Sequence, residues 1–267
     1  MLPIQEVTNR LPSQDAVLVR VHETAGSVPR ETGAWMAVFR DSVTGTIGGG
    51  NLELQAIEQA RARLSGTGGA AVLRYPLGPS LGQCCGGVVH LRYEHLTAAD
   101  IPTLARRLQE HWVPLALFGG GHVGKALVHL LGTLPFAVQW VDSRDEIFPE
   151  QVPDNVQCEH SDPVQAAVAD LAPGSRVLIM SFSHAEDLDI VAACLKRQRE
   201  RTDLPYVGLI GSKTKWATFR HRLEERGFAA QELAQVTCPI GIPGITGKEP
   251  EVIAVAVAAQ LLQIPLS

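Results

Sequence analysis

The chain has 267 residues, 45% of them hydrophobic and 19% charged, with a formal net charge of −5. That length supports one large domain or two ordinary ones with substantial cores. The acidic balance and the aromatic content of 5% offer no electrostatic handle for nucleic acid or an anionic membrane, and no stacking platform for single strands.

Residues 1–10 are mixed and polar, without an apolar leader core, and no apolar run approaches the roughly 20 residues that cross a bilayer. The five cysteines therefore read as reduced thiols in a cytoplasmic setting. Residues 16–21 and 34–39 read as strands between glycine turns, and 71–74 and 88–92 resume that pattern. Between them, 52–64 fits a helix, with Leu54, Ile57, Ala60, Arg61 and Leu64 available for one side. This half, 1–96, is expected to be a smaller α+β domain. The polar, charged stretch 97–112 opens on Thr97 and Asp100, the spacing of a capping box, has helical character over 97–110, and reads as a linker.

From 113 to 267 strand and helix alternate. Strands are expected at 114–118, 136–141, 177–180 and 206–210, with helices at 122–131, 186–199, 213–226 and 250–263. Alternation of this kind predicts a Rossmann-like, doubly wound parallel sheet that binds ligands at the carboxyl ends of its strands. The fold class is thus α/β, with the smaller α+β domain first.

The glycine-rich run Phe118-Gly119-Gly120-Gly121-His122-Val123-Gly124 places Gly119, Gly121 and Gly124 in the pattern G-x-G-x-x-G between a strand and a helix. Asp142 follows at the distance where an acid meets a ribose hydroxyl. The bland reading is that these glycines only allow close helix–strand packing. A third reading is that the helix start holds some other phosphate. The other strand ends carry Ser181-Phe182-Ser183-His184 and Gly211-Ser212-Lys213-Thr214-Lys215. Ser212 can cap its helix, and Lys213 can meet an anion there. His184 reads equally well as a surface residue or as a ligand contact. The remaining histidines lack metal-ligand spacing, and neither C-x-x-C nor G-x-S-x-G occurs.

The first half carries the more telling chemistry. Gly26-Ser27-Val28-Pro29-Arg30 is a turn presenting a hydroxyl and a guanidinium. Thr46-Ile47-Gly48-Gly49-Gly50-Asn51-Leu52-Glu53 leads into a helix, and its backbone amides are placed to cradle an anion. Leu81-Gly82-Gln83-Cys84-Cys85-Gly86-Gly87 puts adjacent thiols in a glycine frame. Neighbouring thiols are poor staples and good soft ligands. Against this stands the common fate of a free cysteine as a small buried hydrophobe. Cys158, Cys194 and Cys238 are scattered and read as buried.

In this order and spacing these motifs, together with Val141-Asp142-Ser143-Arg144, Cys238-Pro239-Ile240-Gly241 and Gly247-Lys248-Glu249-Pro250, resemble the XdhC-type xanthine dehydrogenase accessory proteins, related to the CoxI group. The resemblance covers nearly the whole chain. It implies a molybdenum cofactor (molybdopterin) chaperone of purine catabolism. Such a protein protects the cofactor, assists its sulfuration with a cysteine desulfurase as sulfur source, and delivers it to apo xanthine dehydrogenase. A homodimer without turnover of its own is implied. Some relatives carry Cys after the triple glycine; this chain has Asn51 there, leaving Cys84 and Cys85 as the contacts for sulfur or molybdenum. The implied cofactor-binding set is Ser27, Arg30, Gly48, Gly49, Gly50, Glu53, Gln83, Gly86, Gly119, Gly121, His122, Gly124, Asp142, His184, Ser212 and Lys213. Two competing readings stand beside it. One is an NAD(P)-dependent oxidoreductase that uses Asp142 for ribose, with Arg144 admitting a 2′-phosphate. The other is a scaffold for desulfurase and dehydrogenase with a vestigial nucleotide fold.

Overall fold

The computed structural model describes residues 3–78, 86–108 and 112–265. It falls into two compact units, Met1–Glu110 and His111–Ser267.

The first unit runs α1 (Pro3–Arg10), β1 (Ala16–Ala25), β2 (Trp35–Val38), β3 (Val43–Gly45), α2 (Gly50–Leu64), β4 (Val72–Pro76), β5 (Val88–Leu96) and α3 (Ile101–Leu108). Its five-stranded sheet has the order β3-β2-β1-β5-β4, and every pair is antiparallel. Side chains alternate across a strand, so β1, β2 and β5 each supply two cores. Val17, Val19, Val21, Met36 and Val38 pack with Leu52, Ala56 and Ala60 of α2. Ala16, Leu18, Trp35, Ala37 and Phe39 face the other way, onto Val7 of α1 and Leu104 and Leu108 of α3.

The stretch that reads as a linker has the helical character expected of it over 98–108, and one expectation for α2 is corrected. The Thr97–Asp100 capping box is present, and the helix it starts is anchored by Leu104 and Leu108, both buried. Leu54 does not join the buried side of α2; it is 56% exposed, because the buried stripe runs through Leu52, Ala56 and Ala60.

The second unit runs β6 (Val113–Phe118), α4 (His122–Leu131), β7 (Phe136–Asp142), β8 (Val156–His160), β9 (Arg176–Ile179), α5 (His184–Arg201), β10 (Tyr206–Leu209), α6 (Lys213–Glu225), α7 (Ala230–Leu233), β11 (Val236–Thr237) and α8 (Pro250–Gln263). Its six strands are all parallel, in the order β11-β10-β9-β6-β7-β8. This is the doubly wound arrangement expected from the alternating pattern. α5 and α6 cover one face with Ile190, Leu195, Phe219 and Leu223. α4 and α8 cover the other with Leu127, Leu131, Val257 and Leu261. Strand order reverses between β6 and β9, which opens a crevice beyond their carboxyl ends. Arg176, buried at the start of β9, donates to the carbonyls of Leu261 and Ile264 and ties down the end of α8.

Candidate functional site

In the first unit the glycine motifs meet. Gly48 lies so near Pro29 that a Cβ there would stand 2.7 Å from the proline Cβ. A Cβ on Gly87 would stand 2.4 Å from the Ser27 carbonyl oxygen and 2.6 Å from that of Ala25. The Leu77 amide donates to the Gly87 carbonyl at 2.7 Å, carrying the β4–β5 pairing up to this point. Segments 26–30, 46–53 and 86–87, remote in sequence, thus share one end of the sheet. Ser27, Arg30, Gly48, Gly50 and Gly86 are exposed there. Arg30, Trp35, Gly45 and Thr46 line a cavity of about 300 Å³. Gln83, Cys84 and Cys85 lie outside the described residues; they precede Gly86 directly in sequence.

The triple-glycine loop does not offer an empty anion cradle. Glu53 reaches back from the first turns of α2, and its Oε2 accepts from Thr46 Oγ1 at 2.5 Å, the Ile47 amide at 2.9 Å and the Gly49 amide at 3.1 Å. Gly49, the residue before α2, has no side chain to cap the helix, so the carboxylate supplies the missing acceptor. Glu53 is therefore an organiser of the loop, and Arg30 is the exposed cation left beside it.

Burial pushes the Glu53 carboxyl upward. The Thr46 hydroxyl and the loop amides outweigh burial and hold it below its ordinary value. A carboxyl depressed in the fold stabilises the loop above its unfolded-state pKa and loses that contribution as pH falls through the depressed one. Hydrogen exchange should accordingly show the Ile47 and Gly49 amides protected at neutral pH and released in acid. In Glu53→Ala they should be unprotected throughout. Equal protection in both proteins at neutral pH would take Glu53 out of the loop's order.

In the second unit the parallel register aligns the strand ends. Phe118 pairs with Val141 and Ile179, and Leu209 pairs with Ile179. Gly119, Gly121, His122, Gly124, Asp142, His184, Ser212 and Lys213 therefore lie on one rim. Their roles separate on inspection. Gly119 (φ +119°) and Gly124 are packing glycines: a Cβ on the first would stand 2.0 Å from the Met180 carbonyl oxygen, and on the second 2.1 Å from that of Gly119. Gly121 has nothing within 4 Å of a Cβ, so its approach is open. Ser212 accepts from the Lys215 amide at 3.1 Å as a plain helix cap. His122, His184 and Lys213 are exposed at the first positions of their helices.

Asp142 is not free to meet a ribose. Its side chain is 1% exposed. Its Oδ2 accepts from the Gly120 amide at 2.6 Å and from Arg144 Nη2 at 2.9 Å. Its Oδ1 accepts from the Arg144 amide and Nε, each at 2.9 Å. Burial raises its pKa, but these donors overcome burial and hold the carboxyl below the ordinary carboxylate range.

One cluster on this rim stands out only in three dimensions. Asp187, near the start of α5, accepts from the Ser181 amide and hydroxyl at 2.8 Å each, and from Lys215 Nζ at 2.6 Å. Lys215 also donates to the Ile210 carbonyl at 2.9 Å. The types Ser, Asp and Lys were visible at the strand ends, but nothing in their spacing marked Lys215, rather than Lys213, as the buried cation.

Burial raises the thiol pKa of Cys158 and Cys238 and pushes that of Cys194 up to about 12. These three are protonated at neutral pH and are not strong nucleophiles. Among the described residues no cluster of three or more His, Cys, Asp or Glu could hold a metal ion, and no helix is long and apolar enough to cross a membrane.

Comparison with known proteins fits both units. Residues 115–261, more than half of the chain, match the XdhC Rossmann domain, and residues 11–76 match the XdhC and CoxI family. The chain belongs to the XdhC family. A curated Escherichia coli (strain K12) relative, the uncharacterized protein YqeB, is 26% identical over 262 residues, which is 92% of this chain. The chain spans only 43% of that relative's length. A crystal structure described as a xanthine dehydrogenase from Bacillus halodurans superposes with a TM-score of 0.76 at 20% identity, covering 99% of this chain and 96% of the other. That likeness establishes that the XdhC chain shares its fold across both units.

Proposed function

We propose that this XdhC-family chain binds the molybdenum cofactor as cargo, protects it, assists its sulfuration and hands it to apo xanthine dehydrogenase. Membership of the family suggests a role in xanthine dehydrogenase maturation. The observation that carries the finer reading is the convergence of 26–30, 46–53 and 86–87 at one end of the first unit, adjoining in sequence the Cys84–Cys85 pair. The cargo carries a phosphate and an oxygen-labile metal, so its carrier needs a cation and a soft ligand near one another. Arg30 supplies the cation. Cys84 or Cys85 supplies the thiolate that meets molybdenum or accepts sulfur, while burial keeps the three other cysteines protonated. The open approach to Gly121 supports a phosphate contact in the second unit as well. In this reading xanthine dehydrogenase receives the cargo, a cysteine desulfurase supplies the sulfur, and the protein works as a cytoplasmic homodimer without turnover of its own.

Anaerobic equilibrium dialysis against molybdenum cofactor tests the proposal. The wild type should retain the cofactor stoichiometrically. Cys84→Ser/Cys85→Ser should lose at least about tenfold in affinity, since even outer partners of a metal site cost that much. Equal retention and equal activation of apo xanthine dehydrogenase by both proteins would remove the thiols from the mechanism.

A further inference from the structure

The glycine-rich loop implies a dinucleotide, and the second unit can be tested for one residue by residue. A dinucleotide on this fold lies across the crevice where strand order reverses, with its ribose on the acid that ends the second strand and its pyrophosphate on the glycine loop. In this chain the crevice is spanned by side chains. β6 lies between β7 and β9 in the sheet, so any link from the end of β7 to the end of β9 crosses the glycine loop. Two such links are present among the described residues. The Arg144 guanidinium lies 4.4 Å from the ring centroid of Phe182, and Ser143 Oγ donates to Glu186 Oε1 at 2.7 Å. Beneath them, Ile147 covers Gly120: a Cβ on that glycine would stand 2.6 Å from Ile147 Cγ1.

The ribose acceptor is spent as well. A carboxylate offers about four lone-pair positions, and Asp142 receives four hydrogen bonds, from the Gly120 amide and from the Arg144 amide, Nε and Nη2. A neutral diol would have to displace a bidentate guanidinium, and charge-assisted pairs of that geometry are about twice as strong as neutral hydrogen bonds. A 2′-phosphate gains little from Arg144, because the carboxylates of Asp142 and Glu186 already act on that guanidinium. Phe182 is 67% exposed, so little hydrophobic packing opposes the aromatic half of the bridge swinging away once its cation is gone.

We infer that the bridge from Asp142 through Arg144 to Phe182 shuts the glycine-rich crevice to NAD(H) and NADP(H), and that Arg144 is the specificity-determining residue that holds it shut. The acid has become a latch joining the Gly120 amide to the β7 loop.

Titration of the full-length protein with NADH and NADPH, followed by nicotinamide fluorescence, tests this directly. The wild type should show no saturation with either up to about 1 mM. Arg144→Ala frees the carboxylate and removes the bridge, so NADH should bind at least about tenfold more tightly, the factor expected when a charge-assisted competitor is withdrawn. ADP-ribose should compete with it. Phe182→Ala removes the far end of the bridge but keeps the Asp142–Arg144 pair, so it should bind NADH more tightly than the wild type and less tightly than Arg144→Ala. Arg144→Gln covers the case in which the alanine variant folds poorly. Saturable binding of either nucleotide by the wild type below about 100 μM would overturn the inference. So would folded Arg144 variants that remain as silent as the wild type. The probes contain neither pterin nor metal, so the result is separate from the fate of the cofactor-carrier reading.

Discussion

Gly119→Ala is expected to unfold the second unit or bring it close to unfolding. Gly119 sits at φ +119°, and an added Cβ would stand 2.0 Å from the carbonyl oxygen and 2.6 Å from the carbonyl carbon of Met180. Neither can yield cheaply. Met180 directly follows β9, and its amide donates to the Phe118 carbonyl at 2.9 Å. The Gly119 carbonyl is itself engaged by Trp140 Nε1 at 3.0 Å, inside the core. Strain at a forbidden φ costs about 1–3 kcal/mol, and forcing a methyl into a packed site costs a similar amount. A loss of roughly 2–6 kcal/mol approaches, at its upper end, the stability of a whole domain. Thermal denaturation followed by tryptophan emission and far-ultraviolet circular dichroism would read it. Gly121→Ala is the paired control. That residue has open space at its Cβ and an ordinary φ of −68°, so the variant should melt within about 0.5 kcal/mol of wild type. If the two variants melt alike, the glycines do not divide into packing and approach positions as described.

Asp187→Ala should be the other severe substitution. The Asp187–Lys215 pair is close to dry, with side-chain exposures of 3% and 13%. Removing the carboxylate strands an ammonium among Phe219, the Ile210 carbonyl and the α5 start, and takes the acceptor from both the amide and the hydroxyl of Ser181. Breaking a buried pair from one side costs about 3–5 kcal/mol. Asp187→Asn, which keeps an oxygen for Ser181, should lose less. Asp187→Ala/Lys215→Met should recover part of the loss, because the stranded charge is gone. Chemical denaturation of the wild type, Asp187→Ala, Lys215→Met and the double variant closes the cycle. A double-variant loss equal to the sum of the two single losses would show that the pair is not energetically coupled.

These substitutions mark where local reading stopped. The helices at His122–Leu131 and Pro250–Gln263 were legible residue for residue. Each begins on a clear start signal, a glycine loop for the first and a proline for the second, and each carries an apolar face. β8 (Val156–His160) and β11 (Val236–Thr237) were not. The first is a sheet edge of mixed polarity and the second is two residues long, so neither produces a periodic signal. The helical character of α3 was legible, but its packing was not, because its two buried leucines, Leu104 and Leu108, are outnumbered by polar neighbours. Leu54 was misplaced on α2 because two helical stripes of similar apolarity pass through that segment, and only the position of the sheet selects between them.

The candidate site divides in the same way. Residue type and order were enough to establish the parallel second sheet, the glycine loop at the end of its first strand, and the family to which the chain belongs. They depend on local propensity and short spacings, which a linear chain displays openly. Which groups are spoken for was decided by tertiary structure. Glu53 looked like a ligand contact and is bonded to its own loop; Asp142 looked like a ribose acceptor and is saturated by Gly120 and Arg144. Lys215 carried no role in its motif and is a largely buried partner of Asp187, its side chain 13% exposed. A carboxylate advertises its charge in sequence, but its free lone pairs depend on donors brought from 4 residues away in the loop before a helix, from 22 residues away across a sheet, or from another helix 28 residues on. Only the folded chain determines whether such a group faces a ligand or itself.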